Sequence, residues 1–423
     1  MRASTPPPTR RRGSLATLTA ALAAAVLVSV GLVAASAPPA SAASGTWSTE
    51  TIAGMSVRLY TPATAATAGA GRALMISLHG CVQKAADLQQ NGNWTATADR
   101  YGMVVALPDA PNGGVVLGCW DYYDTNHSSS APARHDDNLL SLAQTLSARA
   151  ALGIDPAQVY ISGLSSGGGE TMVMGCLFPQ VFAGVGINAG PTVGTTSSQI
   201  GSVATTQAQA TQTCRAFAGT GTAGFATQLA SIVYGSNDTT VAPGYDTLNG
   251  QVLAGIYGAS HTSTFSLAGL AGTNTQGSGT LYSDGTGPRV SVIQNTGLGH
   301  NWPAGAGSGG TYISANSIDY PAYVTSFFFA NNRRIDRSAT PTPTPSPTGS
   351  ATPTPTPTPI DGSCVTATNA AHKAAGRATS YGVNPYNPYY ALGSLAYMGQ
   401  GDATTTSLQR QSATSWTVVA TCG

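Results

Sequence analysis

A chain of 423 residues has room for more than one domain, yet only 8% of this one is charged and its formal net charge is +1. Lysine occurs only as Lys84 and Lys373. With no basic patch and no acidic run, the composition excludes a nucleic-acid binder and an acidic solvating tail.

Arg10-Arg11-Arg12 precedes an apolar run over residues 15–35 and then Ala40-Ser41-Ala42, a small-residue cleavage site. This is the three-part layout of a secretory signal peptide, residues 1–42. The apolar run alone would also suit a membrane anchor. The cleavage site and the Pro38-Pro39 break favour removal, so the mature protein is expected outside the cell with no membrane attachment. Both general and twin-arginine export stay open.

Residues 43–337 alternate strand-like and helix-like runs. A strand is predicted over 72–78, a helix over 85–99 and a second strand over 103–108. The helix over 136–152 carries Leu139, Leu140, Ala143, Leu146 and Ala150 near helical spacing. A short buried strand over 158–162 runs into Gly163-Leu164-Ser165-Ser166-Gly167 and then a helix. Strands over 182–188, 229–234 and 289–294 follow, and a helix over 320–330 closes the region. The alternation predicts an α/β fold, a parallel sheet with helices on both faces.

Residues 338–361 are a Thr-Pro repeat. Proline fixes φ and removes a donor, so this stretch predicts an extended polyproline-II spacer of roughly 60 Å. Beyond it, residues 362–423 are rich in aromatics: Tyr381, Tyr386, Tyr389, Tyr390, Tyr397 and Trp416. This C-terminal module is expected to bind insoluble substrate; the alternative is that its aromatics merely fill a small core.

Six cysteines behind an export signal predict disulfides, with 15 pairings open. Sequence order suggests Cys81–Cys119, Cys176–Cys214 and Cys364–Cys422, the last because both members lie beyond the linker. No Cys/His spacing resembles a metal site, and no cofactor is expected.

Gly163-Leu164-Ser165-Ser166-Gly167 fits the nucleophile elbow G-x-S-x-G, with a strand before it and a helix after it. A serine needs a base, and the base an orienting acid. In this fold they follow in the order Ser, Asp or Glu, His. Asp238 follows the 229–234 strand in Gly235-Ser236-Asn237-Asp238, and His300 follows the 289–294 strand in a Gly-rich loop. Asp246, Asp284 and His261 are rivals that no predicted strand leads into. For the oxyanion, one amide is expected from Ser166 and the other from Cys81, in the loop Leu78-His79-Gly80-Cys81. His79 is expected to fix that loop and to carry no proton.

These segments, with Cys119-Trp120, Gly235-Ser236-Asn237-Asp238-Thr239-Thr240-Val241 and Gly299-His300-Asn301-Trp302-Pro303, fall in the order seen in the extracellular poly(3-hydroxybutyrate) depolymerase family of the central lipase-box type. That family includes related feruloyl and acetylxylan esterases. The tail motif from Cys364 to Ala378 resembles the short C-terminal module of such depolymerases. The resemblance implies an α/β-hydrolase fold and a secreted serine esterase, monomeric, acting on an insoluble polyester through Ser165, Asp238 and His300. Trp120 and Trp302 are then expected to line the substrate-binding surface. The alternatives are a feruloyl or acetylxylan esterase and, in another class, an inert hydrolase-fold binding protein. Two positions depart from the family pattern. Gly169-Glu170-Thr171 stands where small apolar residues are commoner, and Tyr122-Tyr123 where a second tryptophan is common.

Overall fold

The computed structural model describes residues 44–335, 363–380, 388–392, 396–412 and 415–422. The expected signal peptide and the Thr-Pro linker lie outside the described residues. Within residues 44–335 the strands are β1 (Thr46–Ile52), β2 (Met55–Thr61), β3 (Arg72–Leu78), β4 (Val104–Pro108), β5 (Ile154–Leu164), β6 (Gly184–Asn188), β7 (Leu229–Gly235), β8 (His261–Ser266), β9 (Gly277–Asp284) and β10 (Gly287–Asn295). The helices are α1 (Ala85–Asn91), α2 (Trp94–Tyr101), α3 (Asp136–Ser147), α4 (Ser166–Leu177), α5 (Gln207–Ala218), α6 (Gly244–Tyr257) and α7 (Tyr320–Asn331).

The ten strands form one sheet in the order β1-β2-β4-β3-β5-β6-β7-β10-β9-β8, an α/β-hydrolase architecture. The six strands from β4 to β10 run parallel. Strands β4, β6 and β7 are buried along their whole length, as parallel strands covered on both faces must be. Side chains alternate between two cores. Leu74, Ile76 and Leu78 of β3 join the core under α3 to α6, while Ala73 and Met75 join the core under α1, α2 and α7.

The sheet is mixed, not wholly parallel as the alternation predicts. Antiparallel pairs β1/β2, β2/β4, β9/β10 and β8/β9 finish both edges. Ala53 and Gly54, at φ 50° and 76°, turn β1 back into β2, the primed geometry that matches strand twist. The single helix predicted over 85–99 is two. Gly92 closes α1 by donating to Leu88 O, and Asn93 turns left-handed at φ 60°. The break is held from outside: Asn93 Nδ2 donates to Ala304 O and to Asp319 Oδ2, both at 2.9 Å, and Trp302 Nε1 donates to Gly92 O at 3.0 Å.

Disulfides join Cys81 to Cys119, Cys176 to Cys214 and Cys364 to Cys422. The second staples α4 to α5 inside the core, where both cysteines are wholly buried. In the tail, β11 (Cys364–Thr368), β14 (Thr405–Ser412) and β15 (Ser415–Val419) make one antiparallel sheet around the third disulfide. A second is built from Ala378–Ser380, Pro388–Ala391 and Tyr397–Gln400, the last two being β12 and β13. Ala378, Tyr389, Ala391, Met398 and Leu408 form a small core of their own, against which Trp416 packs. Tyr389 is buried and donates to Asp402 at 2.8 Å, and the Arg377 guanidinium lies over the Trp416 ring. Tyr389 and Trp416 thus pack in or against the tail's core.

Glu170, on α4 directly behind the elbow, is wholly buried. It faces Asp136 at the head of α3, whose Oδ2 holds His127 Nδ1 at 2.8 Å. No donor reaches either Glu170 oxygen or Asp136 Oδ1. Two ionised carboxylates could not share that space, so one proton must lie between them. Burial, then the Asp136 charge, lifts the Glu170 pKa well above its ordinary 4.5. In the unfolded chain Glu170 ionises near 4.5, while in the native core it stays protonated. Its contribution to stability is thus complete below about pH 4.5 and is lost as pH rises toward the raised value. Glu170→Gln keeps a donor toward Asp136 and cannot ionise. Its melting temperature should exceed the wild type's at pH 8, on the order of 5 °C, and by less at pH 5. A difference independent of pH, measured by calorimetry, would show that Glu170 is not protonated in the fold.

Candidate active site

The C-terminal ends of β3, β5, β7 and β10 open on the same edge of the sheet, where the chemistry of open α/β sheets gathers. Ser165 leaves β5 at φ 59°, ψ −119°, a strained conformation for any residue with a Cβ. The strain is held at both ends: the Ser165 N–H donates to Asn188 O at 2.9 Å, and its carbonyl accepts the Gly169 N–H at 2.9 Å as the first bond of α4. Ser166 is the first residue of that helix, so its amide has no intrahelical partner.

The loop after β3 passes tightly over this turn. A Cβ on Gly167 would stand 2.5 Å from His79 O, and one on Gly80 would stand 3.4 Å from Ser165 Cβ. The loop's other amides are engaged. Gly80 N–H donates to Gln83 Oε1 at 2.7 Å, Val82 N–H to Leu117 O at 2.7 Å, and Gln83 N–H to Gly80 O at 3.3 Å. The Cys81 amide is left between them, pinned by the disulfide to Cys119. His79 is buried. Its Nδ1 donates to Gly80 O at 2.8 Å while Nε2 accepts the Ala110 N–H at 3.2 Å. Burial pushes its pKa down, so it stays neutral and fixes the loop.

His300 and Asp238 meet across the loops after β10 and β7. His300 Nδ1 lies 2.7 Å from Asp238 Oδ2, and both side chains are nearly inaccessible. The other Asp238 oxygen accepts the Thr240 and Val241 amides at 2.8 and 3.0 Å, so the carboxylate cannot turn away. The two loops are sewn together by Asn237 N–H to Leu298 O at 2.9 Å and Gly297 N–H to Ser236 Oγ at 2.9 Å. The rival residues lie elsewhere. Asp284 is clamped by Arg333 and Arg289, which hold it far below the usual carboxylate range. Asp246 is wholly buried on α6, where burial and then the Asp238 charge lift its pKa. His261 is exposed at the start of the edge strand β8.

Trp120 and Trp302 do not line an open surface; both are wholly buried. Trp302 packs against Trp94 and Tyr320 in the core. The Trp120 ring sits between His79 and His135, and its backbone N–H donates to Ser166 Oγ at 3.3 Å. Both brace the site from behind. The two departures from the family pattern explain each other: a Cβ on Gly169 would stand 2.8 Å from the Tyr122 ring, so the glycine makes room for the tyrosine. Sequence reasoning missed Asn188. Its carbonyl holds the Ser165 amide, and its Nδ2 donates to Asn301 O at 3.4 Å, beside His300. Nothing local marks it, because the role arises only from the β5/β6/β7 pairing. Among the described residues no group of acidic, histidine or cysteine side chains could hold a metal ion.

Residues 55–265 match the family model described as Esterase PHB depolymerase. The chain is 41% identical over 326 residues to a poly(3-hydroxybutyrate) depolymerase of Ralstonia pickettii, an alignment that covers 73% of this chain and 65% of that protein. It is 28% identical over 271 residues to poly(3-hydroxyalkanoate) depolymerase C of Paucimonas lemoignei, covering 60% of this chain and 63% of that protein. It is also 28% identical over 266 residues to acetylxylan esterase A of Talaromyces purpureogenus, covering 58% of this chain and 63% of that one. The chain thus spans a little under two thirds of these relatives. Residues 55–265 of this chain thus carry an Esterase PHB depolymerase domain.

Proposed function

We propose that this chain is an exported serine esterase that hydrolyses poly(3-hydroxybutyrate) or a similar short-chain polyhydroxyalkanoate. The reading is carried by the strained Ser165 at the head of α4, taken together with a His300 locked at 2.7 Å on a fully engaged Asp238. The depolymerase relatives supply the substrate class. Ser165 Oγ attacks the ester carbonyl as His300 Nε2 takes its proton; Nδ1–H stays on Asp238, which fixes the tautomer and stabilises the imidazolium. The amides of Ser166 and Cys81 receive the oxyanion. The carbon–oxygen ester bond then breaks, and His300 returns the proton to the departing hydroxyl. Water, deprotonated by the same imidazole, releases the hydroxyacyl group and restores Ser165. No step calls on a metal or organic cofactor. In this reading the Thr-Pro segment tethers residues 362–423 as a module that keeps the enzyme near insoluble polymer. Clearing of a poly(3-hydroxybutyrate) suspension, set beside ferulate release from arabinoxylan, tests the substrate class; ferulate release alone would reassign it.

Ser165→Ala should cost about a millionfold in kcat on p-nitrophenyl butyrate. Asp238→Asn should cost roughly 10⁴-fold, because the imidazole then adopts the wrong tautomer. Asp246→Asn and Asp284→Asn should cost far less; steady-state kinetics showing either as damaging as Asp238→Asn would overturn the choice of acid.

The disulfide beside the oxyanion loop yields a second expectation. Replacing Cys81 and Cys119 together by serine frees the loop while keeping both amides. The kcat should fall about a hundredfold, the cost of a small misplacement, with KM little changed. A change confined to KM would mean that the Cys81 amide does not meet the oxyanion.

A further inference from the structure

Among the described residues seven large apolar side chains are exposed: Val82, Val115, Val116, Leu117, Val203, Tyr312 and Leu392. Five of the seven lie on or beside the oxyanion loop, its disulfide partner Cys119, or His300. Val82 follows the oxyanion loop directly, and its N–H donates to Leu117 O at 2.7 Å. Val115, Val116 and Leu117 precede Cys119, which is bonded to Cys81. Tyr312 is placed by its ring, whose centroid lies 6.0 Å from that of His300. Gln83 Nε2 joins the segment of Val82 to that of Tyr312 by donating to Thr311 O at 2.5 Å.

The backbone of this rim is unusual. Val82, Leu117 and Tyr312 all lie in the left-handed region, at φ 60°, 52° and 50°. For the β-branched Val82 and the bulky Leu117 and Tyr312 this is a genuine outlier, kept only where the surroundings over-determine it. The surroundings do so here. Val115 N–H donates to Cys119 O at 3.0 Å, Cys119 N–H to Val116 O at 2.9 Å, and Trp302 N–H to Tyr312 O at 2.8 Å. The apolar side chains are thereby held outward at Val116 (63% exposed) and Leu117 (71%) instead of folding in. Residues 111–120 and 301–318, which carry most of the rim, contain no charged side chain.

We propose that this rim is a docking surface by which the catalytic face itself seats on a solid, apolar polyester, independently of residues 362–423. The inference rests on the functional reading above. What covers the rim is what Ser165 cleaves, because the two are continuous. A rigid rim whose two main segments carry no charge suits a water-poor solid, and a small dissolved ester has no need of it.

The test uses the full chain carrying Val115→Ser and Val116→Ser, neither of which bonds to the oxyanion loop. Hydrolysis of p-nitrophenyl butyrate should stay within about twofold of wild type. Release of 3-hydroxybutyrate from polymer particles, per molecule of adsorbed enzyme, should fall at least about fivefold. Unchanged release per adsorbed enzyme would overturn the proposal. So would an equal loss on the soluble ester, which would place the loop in the oxyanion machinery. A wild-type dimer that the substitutions dissociate would show that a second copy covers the rim. Failure of the functional reading looks different: the wild-type chain would hydrolyse the soluble ester and leave particles untouched, and the docking proposal would fall with it.

Discussion

The site depends on how closely two backbones pass at the top of β3 and β5. Gly167 brings the start of α4 against His79 O, and Gly80 brings the loop after β3 against Ser165 Cβ. A methyl group at Gly167 would have to push these segments apart, and with them the Ser166 and Cys81 amides. The turn that makes the approach possible forces Ser165 into a strained conformation, and the neighbouring strands hold it there through Asn188. Pre-organisation of this kind places dipoles before charge develops, where they act without reorganising.

The same compactness explains what lies beneath. Packing the elbow helix against Tyr122 requires Gly169, and the next residue, Glu170, is driven fully into the core beside Asp136. A protonated carboxyl pair there is tolerable only because His127 and the shared proton satisfy it. Behind the acid, Asp246 is likewise buried near Asp238. Polar groups are thus buried under the catalytic edge, and a second buried polar set, built on Gln228 and Arg289, lies at the opposite ends of β7 and β10.

Much of this was legible in the sequence, for identifiable reasons. Strands β3 to β7 and β10 are short apolar runs, and the residues that follow β5, β7 and β10 announce themselves through Gly-rich turns. The edges were not legible. Strand β8 is a Thr/Ser-rich, exposed segment, and the β1/β2 hairpin turns on Ala53-Gly54, which carries little turn signal. Helices α5 and α6 are rich in Gln, Thr and Gly, which weakens an apolar stripe. Trp120 and Trp302 lie in recognisable motifs, yet their rings do structural work from behind the site. Large aromatics conserve space as readily as they bind ligands, and burial alone separates the two uses. Asn188 had no local signature at all.

The central claim is that Ser165 is the nucleophile, activated where it stands. Labelling the full chain with a fluorophosphonate and mapping the adduct by mass spectrometry tests it most directly. A single adduct on Ser165, abolished by His300→Ala, is the predicted result. Stoichiometric labelling of any other serine, or labelling of Ser165 that is indifferent to His300, would contradict it.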